Sequence, residues 1–187
     1  MSDVLTALNG RSASGAITVA DAGPTGMITI RGALDEIGMA VSDALGLGVP
    51  DTLGVSEGEG LSLLWMSPDE LLVICGYDAA PDLAGRLTEA LSDAHSLVAV
   101  VSDARSLIAL EGPEAALRET LAKLTPADMS PGAFGPGIVR RTRLAQVAGA
   151  VWLVEGGARV ICFRSVSDYV FGLLEVSARD DARVGVF

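Results

Sequence analysis

Residues 61–75 read Leu61-Ser-Leu-Leu-Trp65-Met66-Ser67-Pro68-Asp69-Glu70-Leu-Leu-Val-Ile-Cys75, two apolar runs on either side of Ser-Pro-Asp. Pro68 stands where a type I turn favours it, so the stretch predicts a hairpin of strands 61–66 and 70–75. Upstream, Met27-Ile28-Thr29-Ile30-Arg31 alternates like a strand. Leu34, Ile37, Val41, Ala44 and Leu45 follow at helical spacing, and Gly46-Leu47-Gly48-Val49-Pro50 stops that helix. Residues 51–60, rich in Gly and acid, read as a loop. Downstream, Pro81 opens a second helix with Leu83, Leu87, Ala90, Leu91 and Ala94 on one face, and residues 96–101 form a β-branched strand. The order is β-α-β-β-α-β, the ferredoxin-like arrangement.

Past Asp103 the pattern starts again. Residues 106–110 read as a strand, and Gly112-Pro113-Glu114 begins a helix with Leu117, Leu121 and Leu124, ended by Thr125-Pro126. A Gly/Pro loop at 130–137 precedes three strand candidates at 138–144, 151–154 and 159–163. Ser165 and Asp168 resemble a capping-box start for a last helix whose apolar face is Val166, Val170, Leu173 and Leu174. Residues 1–25 are small and polar without a clear period, which predicts a loosely ordered arm. The expected organisation is that arm, a first βαββαβ unit at 26–103 and a second α+β unit at 104–187. No linker-like segment separates the units, so they are expected to pack as one body.

The 187 residues can build an ordinary core without a metal or disulfide. Thirteen basic against 24 acidic side chains, a net charge of −11, argue against nucleic-acid binding and against adsorption to an anionic membrane. Cys75 and Cys162 are the only thiols and His95 the single histidine, so neither a disulfide framework nor Cys/His metal spacing exists. The start, Met-Ser-Asp-Val, does not read as a signal peptide, and the apolar run 144–154 falls short of the ~20 residues of a membrane span. A cytoplasmic protein is expected. Mean hydropathy of +0.45 is high, reflecting either the Ala/Val content or apolar surface covered by another chain. Residues 1–103 carry 3 basic and 15 acidic side chains, and residues 104–187 carry 10 and 9.

Motifs for nucleotide phosphates, dinucleotides and an elbow nucleophile are absent. Gly132 to Gly137 fits a loop. His95 is expected to close the second helix, where it favours the helix dipole; the cysteines read as buried and structural. The pairs Asp35/Glu36, Asp69/Glu70 and Asp180/Asp181 read as solvated surface, because adjacent side chains diverge. In Arg140-Arg141-Thr142-Arg143 a strand sends Arg141 and Arg143 to one face and Arg140 and Thr142 to the other. Their patch is either an aggregation-deterring edge or a site for acidic groups of a ligand or partner chain.

Several segments in order resemble the gamma subunit of heterotetrameric sarcosine oxidase. They are residues 65–72 (the Trp-Met-Ser-Pro-Asp-Glu hairpin), 101–105 running into Ile108 and Gly112-Pro113, Arg141-Thr142-Arg143-Leu144 with Val151-Trp152-Leu153, and residues 164–169 opening the last helix. The likeness spans about residues 60–178. It implies an aminomethyltransferase-like α+β fold, distantly related to the glycine cleavage aminomethyltransferase and YgfZ-like folate-binding proteins. It further implies a complex that demethylates sarcosine oxidatively to glycine, yielding hydrogen peroxide and methylene-tetrahydrofolate or formaldehyde. In that complex the partners are alpha, beta and delta subunits, and FAD, FMN, NAD and tetrahydrofolate belong to those partners. The resemblance transfers no catalytic, cofactor-binding or metal-binding residue to this chain.

The leading expectation is a non-catalytic subunit that packs on and supports the alpha subunit, with Trp65, Arg141 and Arg143 as interface candidates. For Trp65 the competing reading is core filling. The alternative function is a stand-alone folate-binding or aminomethyltransferase-like protein, in which Asp103 would face the pterin and Arg141 the glutamate tail.

Overall fold

A computed structural model of the chain describes residues 4–187. The chain divides into two units, one made of Pro24–Ser102 and the other of Met1–Gly23 with Asp103–Phe187. Along the chain, β1 (Ser12–Ser14) and β2 (Thr18–Asp21) come first. The unit Pro24–Ser102 then contains β3 (Thr25–Arg31), α1 (Leu34–Leu45), β4 (Val55–Gly58), β5 (Leu61–Ser67), β6 (Glu70–Gly76), α2 (Ala80–Ala90) and β7 (Leu97–Val100). The other unit continues with β8 (Arg105–Glu111), α3 (Glu114–Ala122), β9 (Val139–Leu144), β10 (Val147–Val154), β11 (Gly157–Phe163) and α4 (Ser167–Ser177).

In the unit Pro24–Ser102 the antiparallel sheet runs β4-β5-β6-β3-β7. Its last four strands are ferredoxin-like, because β6 lies between β3 and β5 while β3 lies between β6 and β7, so each strand-helix-strand crossover skips one strand. Helix α1 presents Ile37, Val41 and Leu45, and α2 presents Leu83, Ala84 and Leu87, to the sheet face of Ile28, Ile30, Leu63, Leu71, Val73 and Cys75. Asp35 and Glu36 complement the α1 dipole, and Gly46 closes that helix at φ +66°. The hairpin turn at Pro68-Asp69 is as expected, with Ser67 and Glu70 paired and Met66 bulged.

Strand β4 corrects the expected loop at 51–60. Val55–Gly58 pairs with Leu61–Leu64 through Glu59-Gly60, whose φ values of +48° and +78° suit a tight hairpin turn. A Glu-Gly turn after a short strand of Val, Ser, Glu and Gly resembles a loop in composition, which is why the pattern hid it.

In the other unit the sheet runs β1-β2-β8-β11-β10-β9, all antiparallel. Helices α3 and α4 cover one face with Leu117, Leu121, Val170, Phe171 and Leu174. The expectation of a loosely ordered arm at 1–25 is corrected here. Residues 1–3 lie outside the described residues, but β2 pairs with β8 from Thr18 opposite Glu111 to Asp21 opposite Ile108. Leu8, Ile17 and Val19 enter the core. Asp21 accepts hydrogen bonds from the Thr6 hydroxyl and the Gly10 and Gly23 amides. Arg11 lies 4.4 Å from the ring of buried Phe171 and pairs with Glu175 at 2.5 Å. Leu8, Ile17 and Val19 stand at irregular spacing among small and polar residues and leave no period to read, yet they suffice when a strand edge awaits them.

The expected capping box is also corrected. Residues Arg164–Val166 form a 3-10 turn that runs directly into α4, and no side chain caps the helix. The Ser167 hydroxyl instead donates to the Arg164 carbonyl at 2.7 Å.

The units repeat one plan. Val73-Ile74-Cys75, a 3-10 turn at Tyr77–Ala79 and α2 match Val160-Ile161-Cys162, the Arg164–Val166 turn and α4. Likewise β3, Gly32 and α1 match β8, Gly112 and α3. Gly112 has φ +150°, and a Cβ there would stand 2.8 Å from Ile17 Cγ2, so its bareness admits the N-terminal segment.

If the N-terminal segment is structural, Ile17→Ala lowers stability by about 2–4 kcal/mol. Urea unfolding monitored by tryptophan fluorescence measures this; a shift within experimental error would mean that the segment is dispensable.

Candidate functional site

The three interface candidates fall on two different units. Trp65, on β5, is partly buried against the α1/α2 core, and its amide donates to the Gly54 carbonyl at 3.0 Å. Arg141 and Arg143 lie on β9, the terminal strand of its sheet, and both are exposed. Alternation works as expected: Arg140 turns to the other face and donates to the Ala133 carbonyl, while the Thr142 and Thr125 hydroxyls share a hydrogen bond of 2.7 Å. Across the sheet, Arg141 faces Ala150 and Arg143 faces Ala148. Both arginines share one exposed face beside small cross-strand neighbours, and Arg143 donates to the Gln146 side-chain oxygen at 3.4 Å. The structure thus forms a compact basic edge.

Asp103 sits in the turn before β8, and Arg141 is separated from β8 by β11 and β10. Three strand spacings amount to about 14 Å. The structure therefore does not bring the carboxylate and guanidinium into contact.

The thiols are shielded. Cys75 and Cys162 are buried on the helix-covered faces of their sheets. Burial pushes the Cys162 thiol up to about 11 and raises Cys75 as well, so both stay protonated near neutrality. His95 is exposed and lies beyond α2, which ends at Ala90, so it misses the last helical turn where it was expected. Among the described residues no group of three His, Cys, Asp or Glu could hold a metal ion.

Asp35, Glu36, Asp180 and Asp181 are exposed, as expected. Glu70 is not: it is buried, accepting from the Thr29 hydroxyl at 2.9 Å and from Arg31 at 3.2 Å. The pair Asp69/Glu70 is thus half surface and half internal brace, because β6 begins at Glu70 and turns its side chain toward β3.

Two functional-looking residues escape the sequence pattern. Arg118 and Glu119, adjacent on α3, are both buried. Arg118 donates to the Met129 and Phe134 carbonyls at 2.7 Å and to Glu114 at 2.6 Å, pinning the 126–137 loop. Glu119 accepts from the Val184 and Gly185 amides, with Lys123 at 3.6 Å and Arg183 at 3.8 Å. Lys123, the only lysine, also donates to the Ser177 and Ala182 carbonyls at 3.1 and 2.7 Å. The Val184 amide foremost, then the Gly185 amide and the two cations, hold the Glu119 carboxyl below its ordinary range against the opposing effect of burial. The i,i+4 spacings Glu114/Arg118 and Glu119/Lys123 were the available signal. They ordinarily mark a solvated helix face.

Comparison with known proteins adds a family. The model of the sarcosine oxidase, gamma subunit family matches residues 31–180. The gamma subunit of sarcosine oxidase from Corynebacterium sp. (strain P-1) is 37% identical over 94 residues. That stretch is 50% of this chain and 44% of the relative, so the match spans under half of the relative's length. Among solved structures, heterotetrameric sarcosine oxidase from Corynebacterium sp. U-96 in complex with pyrrole 2-carboxylate contains a chain that aligns with TM-score 0.81 and 28% identity. The alignment covers 94% of this chain and 91% of that one. The glycine cleavage system aminomethyltransferase T from Bartonella henselae aligns with TM-score 0.61 and 16% identity over 96% of this chain and 55% of that one, a likeness of fold.

The lowered pKa of Glu119 makes its contribution to stability complete above the ordinary carboxylate range. It is lost as pH falls through the folded-state value. Glu119→Gln is therefore expected to flatten the acid limb of the stability profile below about pH 4.5. It also speeds proteolytic clipping of residues 183–187. Thermal melts across pH with mass spectrometry of the clipped chain check both; an unchanged acid limb would show that this clamp is unimportant.

Proposed function

The chain belongs to the sarcosine oxidase gamma subunit family, and we propose that it acts as the small, non-catalytic subunit of a cytoplasmic heterotetrameric sarcosine oxidase. In this reading it packs on and supports the alpha subunit, within an assembly that also contains beta and delta subunits. The assembly demethylates sarcosine oxidatively to glycine and yields hydrogen peroxide with methylene-tetrahydrofolate or formaldehyde. FAD, FMN, NAD and tetrahydrofolate belong to the partner subunits. The observation that carries the reading is the alignment over nearly the whole of both chains with one chain of a heterotetrameric sarcosine oxidase. Among the described residues no helix is long and apolar enough to cross a membrane.

The chemistry of the chain fits a supporting role. Its thiols are buried and held protonated. Its buried charged residues, Glu70, Arg118 and Glu119, are engaged in holding strands, a loop and the C-terminal tail. The exposed resources are instead those of contact surfaces: the Arg141/Arg143 edge and the exposed part of Trp65. The folate-binding alternative draws only on a likeness of fold at 16% identity, and Asp103 and Arg141 stand about three strands apart.

Co-expression with candidate alpha, beta and delta subunits, followed by size-exclusion chromatography with light scattering and visible absorbance, tests this. Co-elution in one flavin-coloured assembly supports the reading. A colourless monomer that ignores those partners overturns it and directs attention to tetrahydrofolate binding. Arg141→Glu with Arg143→Glu is expected to weaken assembly roughly tenfold, mainly by slowing association, while the isolated chain still folds by circular dichroism.

A further inference from the structure

The duplicated plan leaves one position filled in one sheet and open in the other. With Arg31 set on Glu111, β7 and β2 fall in the same register. Leu97 stands opposite Arg31 as Thr18 stands opposite Glu111, and Val98, Ala99 and Val100 correspond to Val19, Ala20 and Asp21. Strand β2 has an outer neighbour, with Ser14, Ala13 and Ser12 of β1 opposite Thr18, Val19 and Ala20. No described strand pairs with the outer side of β7.

The backbone of β7 is set up for such a neighbour. The Val101 amide donates to the Met27 carbonyl, so the alternation of an antiparallel ladder aims residues 97 and 99 at β3 and residues 98 and 100 outward. In the other sheet the residue equivalent to Val100 is Asp21, and its amide donates to the Arg11 carbonyl at 2.8 Å. Exposed edges are ordinarily guarded by charge, proline or a bulge. Strand β9 follows that rule with its three arginines, whereas β7 reads Leu-Val-Ala-Val, with Leu97 53% and Val100 45% exposed.

We propose that the outer edge of β7 receives an extended segment of a partner subunit, laid antiparallel along residues 97–100 in the position that β1 fills in the other sheet. Main-chain hydrogen bonds to Val98 and Val100 bind it, and its side chains pack against Leu97 and Val100. Electrostatics selects the occupant. Residues 24–102 carry twelve acidic and two basic side chains, which repel an acidic segment or a second copy of the same edge and favour an apolar segment with basic flanks. That the occupant is a subunit of the oxidase rests on the proposed function.

Hydrogen exchange on the isolated full chain and on the purified complex tests this. The Val98 and Val100 amides are expected to exchange at least roughly tenfold more slowly in the complex. Val100→Pro removes one outward donor without removing a bond to β3, and is expected to weaken assembly roughly tenfold. Val100→Thr keeps the amide and the branched shape and assembles like the parent. A complex whose Val98 and Val100 amides exchange as fast as in the free chain overturns the proposal even if Val100→Pro fails to fold. Protection of those amides in a homodimer of the isolated chain overturns it in favour of a second copy. A chain that enters no oxidase complex overturns the functional reading and this occupant with it, a result separable from the others by chromatography alone.

Discussion

The first strand of each crossover lies inside its sheet, and such a strand requires a partner on both sides. For β3 those partners are β6 and β7, both reached by continuing along the chain. For β8 they are β11 and β2, so one partner must come from upstream. Much of the unit that joins the N-terminal segment to residues 103–187 answers to that demand. Ile17 and Val19 are buried because β2 lies on β8. Gly112 is bare where Ile17 passes, Asp21 gathers the turns at residues 6–10 and 23, and Arg11 fastens the segment to α4.

Ionised groups taken out of water are costly unless every one finds partners. On α3 the price is met by geometry. Arg118 has five donors in a planar fork, and it reaches two carbonyls of the 126–137 loop and one carboxylate of its own helix. Glu119 has acceptor capacity only and meets two consecutive tail amides. Adjacent helical residues point about 100° apart, so one helix holds a loop on one side and the tail on another. The tail leaves Val184, Val186 and Phe187 exposed, so these polar contacts hold it, whereas the loop also sends Met129 and Phe134 into the core.

Legibility in the sequence followed the density of apolar side chains. The hairpin 61–75 and the helices beginning near Leu34 and Glu114 carry a large apolar residue every two to four positions, and their expected and observed spans nearly coincide. Strands β1, β2 and β4 are built from Ser, Ala, Thr, Gly and acid with at most one large apolar anchor each; β1 and β4 pair with the strand next in sequence, but β2 depends on β8, an edge far away in the chain. A local pattern cannot report that. The candidate surface was legible in part: alternation correctly placed Arg141 and Arg143 together and turned Arg140 and Thr142 away. Glu70, Arg118 and Glu119 were not legible, because a charged residue on a periodic element looks the same whether its partners are water or a distant backbone.

Charge also decides what kind of association these sheets favour. A strand edge joins another strand through the same backbone groups whatever its sequence, so selectivity must come from what surrounds the ladder. At β9, pairing with its own copy would set Arg141 and Arg143 against identical guanidinium groups. At β7 it would bring together two units that each carry ten net negative charges. Both arrangements are repulsive, and the repulsion is strongest at low ionic strength, where screening is least. An unlike chain meets neither obstacle: carboxylates suit β9, and an apolar or basic strand suits β7. The same distribution of charge that discourages self-association therefore leaves both edges competent for a different partner, which is the pattern expected of a subunit in a hetero-oligomer.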